Sequence, residues 1–296
     1  MAKKQPVTPT TQSNKQPNTT SSKKSISDNN SFQLSNKVLI PAVLLLFVAM
    51  AFIYCKPLVE GMQLSTHDSN QYVAMNKEMA DFKAANGHAS LWSSRMFGGM
   101  PSFIIGGLEF NTIIKTPLVI IHKILRYIPD PAMEIVFLLI GAFIGFYVLV
   151  RRVSYAFLGA IAIGFCSANF ISLDAGHITK VITIAMFLPL FASTWLIFQK
   201  NYVWGAILFL IFLFEIVAGA HIQIAYYSLI IIGLYMLYAF VENIIRKETK
   251  HAFISAAVIA GCFAIVVMMN FNNYFVNDFS KETTRGGDIL NAAKMN

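Results

Sequence analysis

The sequence predicts an all-α polytopic membrane protein, a transmembrane helical bundle of about seven spans with a long first extracytoplasmic loop. Three observations lead there. Apolar residues make up 56% of the 296 and charged residues 13%, whereas a water-facing surface needs about a quarter of its residues charged. Phenylalanine alone, at 25, outnumbers lysine and arginine together, at 23. The apolar residues also fall in runs of bilayer length, since a helix of about 20 residues rises through the ~30 Å of a hydrocarbon core. The net charge of +8 is then loop charge that sets orientation and meets anionic membrane lipid. No basic stripe interleaved with exposed aromatics is present, so no nucleic-acid partner is expected.

Residues 1–37 are Ser, Thr, Asn, Gln, Pro and Lys with almost no large apolar side chains. Such a stretch cannot offset its ordering entropy and reads as a disordered cytoplasmic tail, held inside by its lysines. The first span covers 38–55, with Pro41 in its first turn, where a missing backbone donor is tolerated. No small-x-small cleavage pattern follows, so it reads as an uncleaved signal anchor. Six further spans lie within 132–270, at about 132–150, 155–173, 181–198, 203–220, 222–241 and 252–270. Pro189 is expected to kink the fourth span of the chain. The remainder, 271–296, reads as an extracytoplasmic segment at a truncation point.

With the tail inside, the short cytoplasmic turns hold Arg151 and Arg152, then Lys200, then Arg246, Lys247 and Lys250, while the short outer turns hold only Lys180. That asymmetry obeys the positive-inside rule and makes the chain a multi-pass membrane protein with a cytoplasmic N-terminus and an extracytoplasmic main loop. The first outer loop, 56–131, is too long for a connector, and long ordered loops are usually functional. Within it, 111–128 carries Ile114, Leu118, Ile121, Leu125 and Ile128 at helical spacing, opposite Lys115, His122 and Arg126. A basic amphipathic helix of this kind suits the outer leaflet surface. Cys55, Cys166 and Cys262 lie in or at the ends of apolar runs with no metal or disulfide spacing, and read as small apolar filler.

Sorted by side, the expensive polar groups gather at one membrane face. Asp68 follows the first span, Asp174, His177 and Lys180 lie between the third and fourth, Glu215 lies late in the fifth, His221 opens the sixth, and Arg285 follows the seventh. One-sided clustering of acids, imidazoles and cations is what a cleft at that face needs. Several of these residues have simpler uses: Asp68 suits the cap of a helix over 72–82, and Lys180 can snorkel from an interfacial turn. Glu215 stands between Phe214 and Ile216, and a carboxylate at hydrocarbon depth must be neutral, paired or facing water. No His pair at i, i+4, no phosphate-cradling loop and no Ser-His-Asp arrangement can be read. Trp92, Arg95 and Gly98-Gly99-Met100-Pro101 form a turn-rich stretch whose Trp suits a sugar face or a lipid interface.

The order of Thr66-His67-Asp68, Trp92, Phe97-Gly98-Gly99-Met100-Pro101, Asp174-Ala175-Gly176-His177-x-x-Lys180, Gly219-Ala220-His221-x-Gln223 and Glu282-Thr283-Thr284-Arg285-Gly286-Gly287 resembles the bacterial YfhO family over about 38–290. The resemblance implies a GT-C-type fold, a polyprenyl-phosphate-linked sugar as donor, and transfer to a cell-envelope acceptor at the outer face. It implies Asp68 as catalytic base, because an Asp in the first outer loop is the expected base of such proteins. YfhO-like proteins are longer, with about a dozen spans, so the resemblance is to their N-terminal part. Substrate binding then falls to Arg95, Asp174, His177, Lys180, Glu215, His221 and Arg285. No metal ligand set is read, and the cofactor stays open, a divalent cation included. Two other functions fit the same spans: a transporter or flippase for a lipid-linked substrate, with Glu215 and His221 on its path, and a non-catalytic membrane scaffold.

Overall fold

The computed structural model describes residues 35–62, 64–88, 90, 92–95, 98–102, 127–218 and 221–271. Contacts divide the chain after Ser35, and all elements below belong to the unit that begins at Asn36. Most of the tail, residues 103–126 with the bulk of the expected amphipathic helix, and 272–296 with Arg285 lie outside the described residues.

Every apolar run read from the sequence is helical over most of its described residues. In chain order the helices are α1 (Asn36–Tyr54), α2 (Lys56–Val59), α3 (His67–Asn86), α4 (Ala132–Val150), α5 (Val153–Gly164), α6 (Ser167–Asp174), α7 (Ile178–Phe198), α8 (Tyr202–Ala218), α9 (Ile222–Ile245) and α10 (Thr249–Phe271). Five of them (α1, α4, α7, α9 and α10) are long and apolar enough to cross a membrane. The expected seven does not emerge directly. The span anticipated at 155–173 is two helices, α5 and α6, bent by 44° at Phe165-Cys166, and counting them as one broken span makes six. At the bend the Ile163 carbonyl accepts from Cys166 N at 3.2 Å and from Asn169 Nδ2 at 2.8 Å, so a carbonyl near the end of α5 is satisfied without a continuous helix. α8 has 17 residues and rises only ~26 Å. Pro189 sits inside α7, which continues through it as one helix.

The core is built on α4 and α7, whose apolar windows are 61% and 67% buried, against 17% for α1, 22% for α9 and 28% for α10. α4 and α7 run parallel and very close. A Cβ on Gly141 would collide with the Ala185 carbonyl oxygen, and one on Gly145 would lie 2.5 Å from Leu188 Cγ. Gly141-x-x-x-Gly145 is thus a small-residue stripe that lets two backbones approach, the packing mode available where lipid removes the hydrophobic drive between helices. Phe47 of α1 covers α4 and α5, stacked on Phe157 and edge-on to Phe143. At one end, Tyr54 packs on Phe165 and Phe170.

The basic turns gather at the other end. Buried His251 of α10 bridges Phe198 O at 2.9 Å and the Tyr202 hydroxyl at 2.6 Å, joining α7, α8 and α10. Lys200 pairs with Glu248 at 2.7 Å, and its hydrogen bond holds the Glu248 carboxyl below the usual carboxylate range. The folded value is the lower one, so this link contributes above the ordinary carboxylate pKa and is lost as pH falls through the depressed one. The contribution is small because both groups face solvent. Arg151, Lys200 and Lys247 hold φ of 58°, 66° and 62° at the ends of α4, α7 and α9, left-handed positions where a cation also meets the helix dipole.

Of the three thiols, Cys55 and Cys262 are buried and Cys166, at the α5–α6 break, is exposed. Cys166 therefore departs from the filler expectation. In detergent at neutral pH, a maleimide is expected to add one label per native chain and none to Cys166→Ser. Labelling that persists in Cys166→Ser would refute this burial pattern.

Candidate active site

The site grows from the start of α3. Thr66 is extended, with φ −105° and ψ 152°, and its Oγ1 accepts from Ser69 N at 3.3 Å while donating to Ser69 Oγ at 2.7 Å. The cap is therefore Thr66 and not Asp68, because its Oγ1 takes the third amide of the helix. Asp68 lies in the first turn, where the helix dipole favours its charge. The cap leaves its carboxylate free for a partner outside α3.

That partner comes from the corner between α6 and α7. Gly176 adopts φ +87°, and a Cβ there would lie 2.5 Å from Thr66 Oγ1 and 3.1 Å from Asp68 Cβ. Only glycine allows both the backbone conformation and the close approach. The next residue, His177, occupies the N-cap position of α7 but makes no capping bond with its side chain. Its ring turns to α3 instead, with Nδ1 3.1 Å from Asp68 Oδ2. An ionised carboxylate only accepts, so Nδ1 carries the hydrogen and Nε2 is left as the outward nitrogen. His177 and Asp68 are 48% and 45% exposed. At that exposure the pair is open to solvent and contributes at most ~1 kcal/mol to stability.

Gly176→Ala is expected to destabilise the fold by about 1 to 3 kcal/mol and to separate α3 from the corner. Thermal unfolding in detergent reads the first effect, and loss of a 68–177 cysteine crosslink reads the second. An unchanged crosslink would mean that the close approach is not needed to bring the two residues together.

Of the other sequence-derived residues, Asp174 ends α6 and is exposed, and Lys180 lies in the first turn of α7, half-buried. Arg95 is exposed between β1 (Trp92–Ser93) and β2 (Met100–Pro101), an antiparallel pair. That hairpin is moored to α3, because Glu78 accepts from Ser93 Oγ at 2.9 Å and from Ser94 N at 3.1 Å. The Trp92 indole lies over Gly99. His221 is the N-cap of α9, its Nδ1 accepting from Ile224 N at 3.4 Å. Glu215 is half-buried on α8 between buried Phe214 and Ile216. No hydrogen bond or ion pair among the described residues joins Arg95, Asp174, Lys180 or His221 to the Asp68–His177 couple. Among the described residues no group of three His, Cys, Asp or Glu is arranged to hold a metal ion.

No protein family, curated protein or solved structure matches this chain.

Glu134 is absent from the set read from the sequence. It sits in the first turn of α4, fully buried, and among the described residues neither carboxylate oxygen has a hydrogen-bond partner of good geometry. Asp130 and Cys55 are its ionisable neighbours, at the same end as Asp68 and His177. The signal was available, since an acid inside an apolar run is the same criterion that selects Glu215.

Proposed function

We infer that the chain is a membrane glycosyltransferase that takes a sugar from a polyprenyl-phosphate donor, and that Asp68 and His177 stand at the non-cytoplasmic face. The observation that carries the reading is the Asp68–His177 couple, 3.1 Å apart and half open to solvent, at the end of the helices opposite the basic turns. By the positive-inside rule those turns face the cytoplasm, which turns the couple to the other side. A donor whose tail stays in lipid is attacked at the interface, where this end of the helices would lie.

In the reaction we propose, the acceptor hydroxyl attacks the anomeric carbon as its proton passes to Asp68. The new oxygen–carbon bond forms as the bond from that carbon to the phosphate oxygen breaks, and the electron pair leaves with the phosphate. The base must lie within about 3 Å of the hydroxyl proton it takes, directly or through one water. His177 orients the carboxylate through Nδ1. The departing phosphate needs positive charge, for which Lys180, one turn beyond His177, Arg95 and Arg285 are the candidate cations.

The experiment is transfer of labelled sugar from a polyprenyl-phosphate donor by membranes that contain the full chain. Release or transfer above that of membranes lacking the chain supports the reading. Specific binding of the donor without turnover, across a panel of donors and acceptors, would overturn it in favour of a transport or scaffold role.

A further inference from the structure

At the end opposite His177, a cleft of about 270 Å³ opens between the α7–α8 turn, the last turns of α9 and the α9–α10 turn. Its wall carries two cations, Lys200 and Arg246, and two carboxylates, Glu242 and Glu248, with Phe198 and Asn243 between them. The charges pair as Lys200–Glu248 at 2.7 Å and Arg246–Glu242 at 2.6 Å. Each pairing uses only part of its groups. An ammonium has three donors, a guanidinium five, and a carboxylate about four acceptor sites, so the cleft retains capacity of both signs.

Its depth and its rim indicate what fills it. α9 has 24 residues and rises ~36 Å, more than the ~30 Å of hydrocarbon, so its last turns reach headgroup level. Leu234, Tyr238, Val241 and Ile245 form an exposed apolar stripe that runs along α9 to this point, beside the stripe of Tyr235, Ala239, Glu242 and Arg246 that lines the cleft. Acyl chains on the first stripe deliver a headgroup to the second. A purely anionic headgroup meets two carboxylates as well as two cations, whereas one bearing both a phosphodiester and a primary ammonium matches both signs.

We propose that this cleft binds the headgroup of a phosphatidylethanolamine-class lipid, with the phosphodiester on Lys200 and Arg246 and the ammonium on Glu242 and Glu248. The site does not depend on the transferase reading and lies at the other end of the helices.

The test is native mass spectrometry of the full chain in detergent with equimolar phosphatidylethanolamine, phosphatidylglycerol and phosphatidylcholine. Charge-assisted hydrogen bonds to the ammonium, which quaternary choline cannot make, predict phosphatidylethanolamine adducts in about tenfold excess. The double variant Lys200→Gln/Glu248→Gln should reduce that preference to near parity while keeping its melting temperature, and Glu242→Gln/Arg246→Gln should do the same. Equal occupancy by the three lipids, or a folded double variant that keeps the preference, would overturn the proposal. Displacement of the lipid by equal concentrations of free O-phosphoethanolamine would also overturn it, assigning the cleft to a soluble ligand.

Discussion

Asp68→Asn is expected to lower sugar transfer by about 10² to 10⁴-fold, the contribution of a positioned general base, while the chain still inserts and folds. The change is nearly isosteric. The amide oxygen can still accept from His177 Nδ1, and the start of α3 is capped by Thr66 rather than by Asp68. What disappears is a group able to take a proton. His177→Gln should cost less, because it removes the orienting ring and leaves the carboxylate. Thr66→Ala should act mainly on stability, by about 1 kcal/mol. The order of the three, read as initial rates in membranes at matched protein level, separates chemistry from folding. Full activity in Asp68→Asn would remove the proposed mechanism, and a loss in Thr66→Ala as deep as in Asp68→Asn would show that α3 is needed as a scaffold only.

The helices were legible from the sequence because transfer into lipid is a local property: a run of apolar residues pays no attention to its neighbours. Their ends were less so. α9 runs on to Ile245, past the last strongly apolar stretch, to an end where Glu242 and Arg246 pair at i, i+4. At the break at Phe165-Cys166 a side chain, Asn169, reaches back to Ile163 O, and nothing in the apolar pattern marks it. The gathering of Asp68 and His177 follows from counting helix directions, since an even number of crossings separates them. Their direct contact does not follow from that count. It rests on Gly176, whose positive φ and missing Cβ are properties of a tertiary approach. His221 illustrates the converse, a residue on the expected side whose ring nitrogen is engaged at the start of its own helix.

The close approach of α4 and α7 at Gly141 gives the second large effect. Gly141→Ala is expected to destabilise the chain by about 1 to 3 kcal/mol, against the usual trend, because alanine favours an exposed helix interior over glycine by roughly 1 kcal/mol. The sign reverses here because the added methyl would meet the Ala185 carbonyl oxygen, and behind it the carbonyl carbon at 3.0 Å. Backbone atoms inside α7 cannot rotate away as a side-chain end can, so α4 and α7, the two most buried of the five candidate spans among the described residues, must move apart. Gly233 of α9 and Gly261 of α10 are the controls, with nothing within 4 Å of their added Cβ, so Gly233→Ala and Gly261→Ala should be neutral or slightly stabilising. Thermal unfolding of the three variants in one detergent distinguishes a helix-propensity effect, which would move all three alike, from a packing effect confined to Gly141. If Gly141→Ala melts with the two controls, α4 and α7 do not touch at that seam. The parallel register that puts Asp68 and His177 at the end opposite the basic turns would then lose its anchor.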